Sequence, residues 1–457
     1  MPNQRVVEFF LTMEKAMPHI AHLLLALCLF LLPATISSPT ARADGIRDAI
    51  EREAKTVEAK LIAWRRDIHQ NPELGNREFR TSALVAEHLK RLGYEVREQV
   101  AHTGVVGVLK GGKPGPVIAL RADMDALPVT EEVDLPFASK VKATWRGQQV
   151  GVMHACGHDA HTAILMAAAE VFATLRSELP GTVKLIFQPA EEGLPPGEEG
   201  GARLMIKEGA LENPRPDAAF GLHVTSPFPV GTIGYRAGQT MAGSDTFRIT
   251  VKGRQTHGAR PWAGVDPIVL ASQIVVALQT IPSRQIDVTS DPAVLTVGIF
   301  NAGNRSNIIP DKADLEGTLR TFSLESRDFI KRRVKDTAEA IARSGGGEAA
   351  VEWISDGYIP LVNNVQLTQR MAPTLQRVVG KDKLVEIPRR TTSEDFSFFA
   401  QEVPSFFFFV GITPPHLTGA LAASNHSPRF QIDESGLPIA LRALLNVSFD
   451  YLGGIGN

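Results

Sequence analysis

The sequence predicts an α/β protein with a mostly parallel sheet and a smaller inserted domain. Apolar, strand-like runs at 117–120, 182–187 and 218–222 alternate with helix-like segments, which is the pattern of parallel α/β sheets. The pattern changes near Ala237-Gly238. From there to 353 the order is strand, helix, strand, strand, helix, strand. This βαββαβ order is typical of a ferredoxin-like domain, here inserted in the larger one.

Size and composition narrow the class of protein. The chain has 457 residues, a length that suggests two to three domains. Of these residues, 44% are hydrophobic. Its formal net charge is −2. It has no basic block, no glycine-rich phosphate loop and no aromatic platform among arginines, so nucleic acid is not an expected partner.

The N-terminus has the pattern of an export signal. An apolar run at 23–32, too short to span a bilayer, is followed by Pro33 and small residues up to Ala43. We expect a signal peptide at 1–43, cleaved after Ala43, and a periplasmic or secreted protein; an uncleaved membrane anchor is the alternative. Without the signal, Cys156 is the only cysteine, so no intramolecular disulfide is expected.

Periodicity predicts the elements of the larger domain. Apolar residues at helical spacing from Ile50 to Ile68 predict a helix that Asn71-Pro72 ends, and a second helix stops at Gly93. Further strands and helices are predicted at 105–109, 117–120, 163–175 (helix), 182–187, 202–207 (helix) and 218–222. The four consecutive phenylalanines of 405–410 predict a strand buried on both faces.

The inserted domain is predicted from strand and helix patterns. Its strands are expected at 246–251, 294–300, 313–320 and 349–353, and its helices at 267–281 and 329–342. Asp266 and Pro267 form a typical helix start. The predicted divisions are 44–240 and 354–457 for the two parts of the larger domain and 241–353 for the insert.

The densest group of metal-binding side chains lies at 153–161. It contains three histidines, a cysteine and an aspartate. Thiolate and imidazole both suit metals such as Zn, Mn, Co or Ni. The pair Cys156 and His158 favours a loop, because positions two apart share one side of an extended segment. A helix-entry loop with buried polar residues and no metal is the alternative.

Two adjacent acids follow an apolar strand. Glu191-Glu192 would be costly to bury unless a cation held them. One glutamate can bind metal while the other handles protons. Two solvated loop acids are the alternative. Asp123 and His223 are also expected at strand ends, where ligands gather in parallel α/β sheets.

These motifs resemble the M20 metallopeptidase family, in particular its aminoacylase-like subfamily of hippurate hydrolases and IAA-amino acid (auxin-conjugate) hydrolases. The resemblance covers nearly all of the mature chain. Its motifs are NPEL at 71–74, RADMDALP at 121–128, the cluster at 154–161, QPAEE at 188–192, GLH at 221–223, THGARP at 256–261, NIIP at 307–310, SEDF at 393–396 and NHS at 425–427.

The resemblance implies a metallopeptidase-like catalytic domain with two divalent metal ions (Mn, Zn, Co or Ni). The implied metal ligands are Cys156, His158, Glu192, His223 and His426. Glu191 is the implied general acid/base. Asp123 matches an acid that orients a ligand; a turn-forming carboxylate is the alternative.

By this resemblance, the chain and its subfamily depart at two positions from the M20 enzymes outside the subfamily. Arg121 stands where they have a histidine, and their bridging aspartate is missing. Cys156 is therefore the expected bridging ligand. His154 and His161 are expected to support the site or cap a helix rather than bind metal.

The inserted domain is implied to act as a lid and to form a homodimer. A histidine matching His257 then reaches into the partner's active site to stabilise the oxyanion; an ordinary turn residue is the alternative. Asn307 and Arg320 match positions that hold the substrate's carboxylate, a group that a guanidinium fits. For Arg320 an exposed strand charge is the alternative.

The sequence therefore predicts a metal-dependent amidohydrolase that cleaves N-acyl amino acids of the hippurate type to a carboxylate and a free amino acid. A metallo-carboxypeptidase or dipeptidase acting on short peptides is the alternative in the same class. A thiol hydrolase using Cys156 would leave the glutamate pair unused. A non-catalytic metal-dependent binding protein would have no need of Glu191.

Overall fold

A computed structural model describes residues 39–354, 357–417 and 421–453. The chain falls into two units, up to Asp48 and from Ala49 onward. The apolar run of the predicted signal peptide lies outside the described residues, and the predicted cleavage position after Ala43 falls in the first helix. No helix among the described residues has the length and apolarity needed to cross a bilayer.

The helices are α1 (Pro39–Gln70), α2 (Phe79–Arg91), α3 (His158–Thr174), α4 (Gly201–Lys207), α5 (Pro267–Leu278), α6 (Thr280–Arg284), α7 (Leu324–Ser344), α8 (Val365–Val379), α9 (Phe396–Glu402) and α10 (Gly436–Leu452). The strands are β1 (Glu95–Val100), β2 (Gly104–Lys110), β3 (Lys113–Asp123), β4 (Lys142–Trp145), β5 (Gln148–Gly151), β6 (Pro180–Gln188), β7 (Ala218–Pro229), β8 (Ile233–Tyr235), β9 (Gly238–Met241), β10 (Gly243–Lys252), β11 (Thr256–His257), β12 (Val294–Ala302), β13 (Ile308–Ile309), β14 (Lys312–Thr321), β15 (Glu348–Trp353), β16 (Leu361–Asn363), β17 (Leu384–Glu386) and β18 (Ser405–Thr413).

The larger sheet has the strand order β1-β2-β6-β3-β7-β18-β8-β17. Its four central strands, β6, β3, β7 and β18, run parallel. Strands β1 and β2 add an antiparallel edge, and β8 is antiparallel to β18. The predicted mostly parallel sheet is confirmed.

Strand β18 is buried along its whole length. The ring of Phe407 packs on Phe396 of α9 with the ring centroids 5.1 Å apart. Helix α10 contacts the same strand. Helices cover both faces of a parallel sheet, which explains why this run of phenylalanines is entirely apolar, as predicted.

A second sheet has the order β12-β14-β10-β15 and is antiparallel throughout. Helices α5 and α7 pack on it through a separate apolar core that includes Ile274 and Val334. The chain order β10, α5, β12, β14, α7, β15 is the predicted βαββαβ order. The boundaries proposed for this segment as a domain, 241 and 353, stay predictions.

The predicted helix at 267–281 and the predicted position of His223 are wrong in detail. The helix expected at 267–281 is broken after Leu278, because Pro282 has no N–H to donate to the carbonyl of Leu278. His223 lies inside β7 rather than at its end. Pairing of β7 with β3 stops at Gly221, but pairing with β18 continues and places Phe409 opposite His223.

Candidate metal centre

The histidine cluster lies where the chain enters α3. Cys156 belongs to the preceding loop, and His158 is the first residue of the helix. Gly157 between them has a left-handed φ of 95°, and a Cβ there would lie 2.4 Å from the Cγ2 of Val224. Both the backbone angle and the space require glycine. The predicted loop is therefore right for Cys156 and wrong for His158.

The thiol of Cys156 is shared by two groups of donor atoms. Its Sγ is 3.4 Å from Nε2 of His223 and 3.3 Å from Nε2 of His426. One group consists of Cys156, His158 and His223, and the other of Cys156, Glu192 and His426; within each, the donor atoms lie within 4.8 Å of one another. Each group could hold one cation, with the sulfur between them.

The ring nitrogens face the centre of these groups. Nδ1 of His158 donates to the backbone carbonyl of Asp125 at 2.9 Å, and its Nε2 is buried with no hydrogen-bond partner among the described residues. Nδ1 of His223 donates to the carbonyl of Val224 at 2.6 Å. These bonds fix the tautomers and leave Nε2 as the acceptor, without a partner in His158 and beside the Cys156 thiol in His223. A buried acceptor without a partner is costly, and a metal ion satisfies it.

The acidic groups of the site also fit a cation. Burial opposes the protonation of His158, but the carboxylates of Asp123 and Asp125 raise its pKa to about 10. Burial raises the pKa of Cys156 well above the usual value, and the charge of Glu192 adds to this effect. The carboxylates thus account for the raised pKa of His158 and contribute to that of Cys156, and divalent cations would balance their negative charge. The residues present therefore fit a metal.

Asp125 orients two donors and was not singled out from the sequence. Its Oδ1 lies 3.2 Å from Nδ1 of His158, and its Oδ2 accepts the N–H of Glu192 at 2.8 Å. A signal existed, because Asp125 follows Asp123 by two residues in the same motif. Asn425 has a similar part: its amide donates to the carbonyl of Cys156 at 3.0 Å.

Asp123 and His161 lie behind the donor atoms. Nδ1 of His161 donates to Asp123 at 2.6 Å, while its Nε2 accepts the N–H of Val224 at 2.8 Å. Both nitrogens of His161 are thus occupied, which suits a supporting residue. His154 is buried, and neither of its ring nitrogens bonds to a described residue.

Glu191 is buried beside the donor groups. Burial raises its pKa well above the usual value, the carboxylates of Glu394 and Glu192 raise it further, and Arg121 opposes them. A carboxylate with a raised proton affinity can receive and return a proton. The hydroxyl of Tyr358, another residue that the sequence did not indicate, donates to the backbone carbonyl of Glu191.

A cavity of about 370 Å³ opens over the site. Its lining includes both glutamates of the pair, Cys156, His223, His426 and Arg320. His257 and Asn307 do not line it. They are exposed and adjacent, where the N–H of Gly258 donates to the carbonyl of Asn307 at 2.8 Å. Within one chain, the structure does not bring them to the candidate donors.

Comparison with known proteins places this site in a family. The sequence model of peptidase family M20/M25/M40 matches residues 119–448. The chain belongs to this family. The predicted family is therefore confirmed, and so is the predicted enzyme class, a hydrolase of amide or peptide bonds.

Two curated relatives and one solved structure illustrate the similarity. The chain is 39% identical over 405 residues to thermostable carboxypeptidase 2 of Saccharolobus solfataricus, covering 88% of this chain and 98% of the relative. It is 39% identical over 433 residues to IAA-amino acid hydrolase ILR1-like 2 of Arabidopsis thaliana, covering 93% and 94%. The crystal structure of the Bacillus subtilis YXEP protein, described as a dinuclear metal binding peptidase from the M20 family, matches with a TM-score of 0.73 at 35% identity, covering 87% and 99%. With the two donor groups, this likeness supports the predicted pair of divalent ions; their identity stays a prediction.

Replacing Asp125 by asparagine should weaken metal binding by about 10- to 100-fold. Asparagine has one acceptor oxygen, whereas the aspartate uses one oxygen for His158 and the other for the N–H of Glu192. Competition with a chromophoric chelator measures the affinity. Asp134→Asn, which removes an exposed carboxylate, is the matched control. Equal affinities of the two variants would contradict the orienting role.

Proposed function

We propose that this protein hydrolyses the amide bond of N-acyl amino acids of the hippurate type, giving a carboxylate and a free amino acid. The observation that carries the proposal is one cavity lined by Glu191, by members of both donor groups and by Arg320. An amide substrate with a free carboxylate needs these three features. The similarity to an IAA-amino acid hydrolase supports N-acyl amino acids as the class.

Arg320 is the group we assign to the substrate's carboxylate. It is half-buried at the end of β14, and its Nη1 donates to the hydroxyl of Ser393 at 3.1 Å. A guanidinium has further N–H donors that can bind a carboxylate through two parallel hydrogen bonds. For Asn307, the other predicted carboxylate contact, we propose a role only across a dimer.

The chain's own residues divide the chemistry among them. Cys156, His158, Glu192, His223 and His426 would hold the two metal ions. When bound, such ions supply Lewis acidity towards an amide carbonyl and towards water. The Glu191 carboxylate receives the proton of the attacking water and gives it to the leaving amine nitrogen. The bond from Tyr358 to the Glu191 carbonyl holds this residue in place.

Glu191→Gln should keep the metal content of the wild type and lose about 10²- to 10⁴-fold in kcat, because the amide cannot accept the proton. Hippurate hydrolysis and elemental analysis on the same sample measure both quantities. Glu199→Gln, in an exposed part of the same loop, is the control and should stay active. A fully active Glu191→Gln variant would remove Glu191 from the acid/base role.

Carboxypeptidase activity on short peptides is the second candidate, because of the similarity to thermostable carboxypeptidase 2. Both reactions cleave an amide beside a residue with a free carboxylate. Comparing kcat/KM for hippurate with that for dipeptides and blocked peptides separates them. A thiol mechanism is disfavoured, because the raised pKa of Cys156 leaves little thiolate without a cation.

We infer that the protein forms a homodimer through its second sheet. Strand β12 is an edge strand, and Val294, Ile299 and Phe300 on it are 46%, 46% and 41% exposed. A long edge strand with exposed apolar residues is a template for pairing with another strand. Val276 of the neighbouring helix α5 is 71% exposed and extends the apolar surface.

In such a dimer, His257 would act in the partner's site, and His257→Ala should lower kcat by about 10²- to 10³-fold without changing metal content. Mixing this variant with Glu191→Gln under subunit exchange provides the sharper test. After random reassembly, half of the dimers contain one subunit of each variant. In such a dimer one active site has both Glu191 and an intact His257, and the other site has neither, so about a quarter of the wild-type activity should return. No recovery, with subunit exchange verified, would contradict action across the dimer.

We also propose export, with cleavage after Ala43 and a periplasmic or secreted location. The apolar run at 23–32 and the small residues before Asp44 support it. N-terminal sequencing of the exported chain should begin at Asp44. Retention of 1–43 in a membrane fraction would favour the anchor instead.

A further inference from the structure

Arg390 is a second guanidinium in the active-site cavity, and the mechanism above does not use it. It lines the same cavity as Arg320. Its N–H donates to the carbonyl of Thr240 at 2.9 Å, and its carbonyl accepts the N–H of Ala242 at 2.9 Å. The backbone is therefore fixed on both sides, independently of the side chain.

The Arg390 side chain is also held in one place. Its Nη2 donates to the hydroxyl of Thr225 at 3.1 Å, and its guanidinium carbon lies 4.7 Å from the centre of the Phe409 ring. Such a cation–π contact stabilises the charge and sets the plane of the group. Thr225 follows His223 by two residues, and Phe409 pairs with His223. The guanidinium is thus oriented beside the candidate metal ligands.

The hydrogen-bonding capacity of the two arginines is not used up. Nη1 of Arg390 is buried and has no hydrogen-bond partner among the described residues. The bonds that the two side chains do make go to the uncharged hydroxyls of Thr225 and Ser393. Burial lowers the pKa of both arginines, so each guanidinium bears a desolvation cost. Anionic groups of a ligand would offset it.

We propose that Arg390 binds a second carboxylate of the substrate, so that N-acyl amino acids with two carboxylates are preferred. The inference rests on the proposed function, in which Arg320 binds the carboxylate next to the scissile amide. The second carboxylate belongs to the amino-acid side chain, as in N-benzoylglutamate, or to the acyl group, as in 4-carboxybenzoylglycine. The same guanidinium chemistry recognises either, and a cavity of about 370 Å³ suits molecules of this size.

The test compares kcat/KM for each of these two compounds with kcat/KM for hippurate. In the wild type, the ratio for one of them should exceed one by about 10- to 100-fold, the size expected for a charge-assisted pair. Arg390→Met should bring that ratio close to one, and Arg390→Lys, which keeps the charge but not the planar fork, should give an intermediate value. The compound that responds identifies the position of the second carboxylate.

Arg389→Met is the matched control. Arg389 neighbours Arg390, but its Nη2 donates to the carbonyl of Ser290 at 2.8 Å, and it does not line the cavity. For Arg389→Met, the ratio of kcat/KM for each dicarboxylate to kcat/KM for hippurate should equal that of the wild type. Thermal unfolding of all variants checks that Arg390→Met is folded; if it is not, the Arg390→Lys ratio decides. If the wild type hydrolyses hippurate but no Arg390 variant changes the kcat/KM ratios, the inference is overturned and the proposed function stays intact.

Ligand affinity distinguishes the proposed hydrolase function from the proposed site for a second carboxylate. In the Glu191→Gln background, calorimetry measures the affinity for N-benzoylglutamate, 4-carboxybenzoylglycine and hippurate with and without Arg390→Met. Loss of Arg390 should weaken binding of a dicarboxylate at least tenfold more than binding of hippurate. If the wild type hydrolyses no acyl amino acid but this difference is found, the proposed function fails and the dicarboxylate site stands. Equal weakening of all three overturns the site.

Discussion

The burial of a thiol, histidines and adjacent carboxylates around one point is the constraint on which this structure depends. Strands β3, β6 and β7 run parallel, so their carboxyl ends lie at the same edge of the sheet. The residues that follow β3 and β6 therefore lie near His223 of β7. The entry to α3 adds Cys156, and the loop before α10 adds His426, whose N–H donates to the carbonyl of Ala155 at 2.8 Å. Such a group is costly to bury without a cation, which ties the fold of these loops to metal binding.

Arg121 shows how the site manages its remaining negative charge. It stands at the end of β3 and lies 2.6 Å from Asp123, 3.0 Å from Glu394 and 2.8 Å from Asp395. A buried arginine is tolerated because it is fully paired. The acids of the SEDF motif therefore hold Arg121 and, through it, fix Asp123. This ion-pair network joins β3 to the start of α9.

Local signals account for what the sequence could predict. The phenylalanines of β18, the loop position of Cys156 and the glutamates after β6 are all predicted from neighbouring residues. Contacts between residues that are far apart in the sequence leave no such local signal. Tyr358 donates a hydrogen bond to Glu191, which is 167 residues away in the sequence, and Arg390 donates one to Thr225, which is 165 residues away. A loop tyrosine or arginine has no periodic pattern, so only the packed structure reveals these residues.

The number of divalent ions per chain tests most directly whether Cys156 joins two donor groups into one centre. Elemental mass spectrometry should be combined with hippurate hydrolysis on the same preparation, before and after chelation. We expect two ions per chain, with activity lost on chelation and restored by Mn, Zn, Co or Ni. A chain without metal whose activity survives the chelator would contradict the account and return attention to the Cys156 thiol.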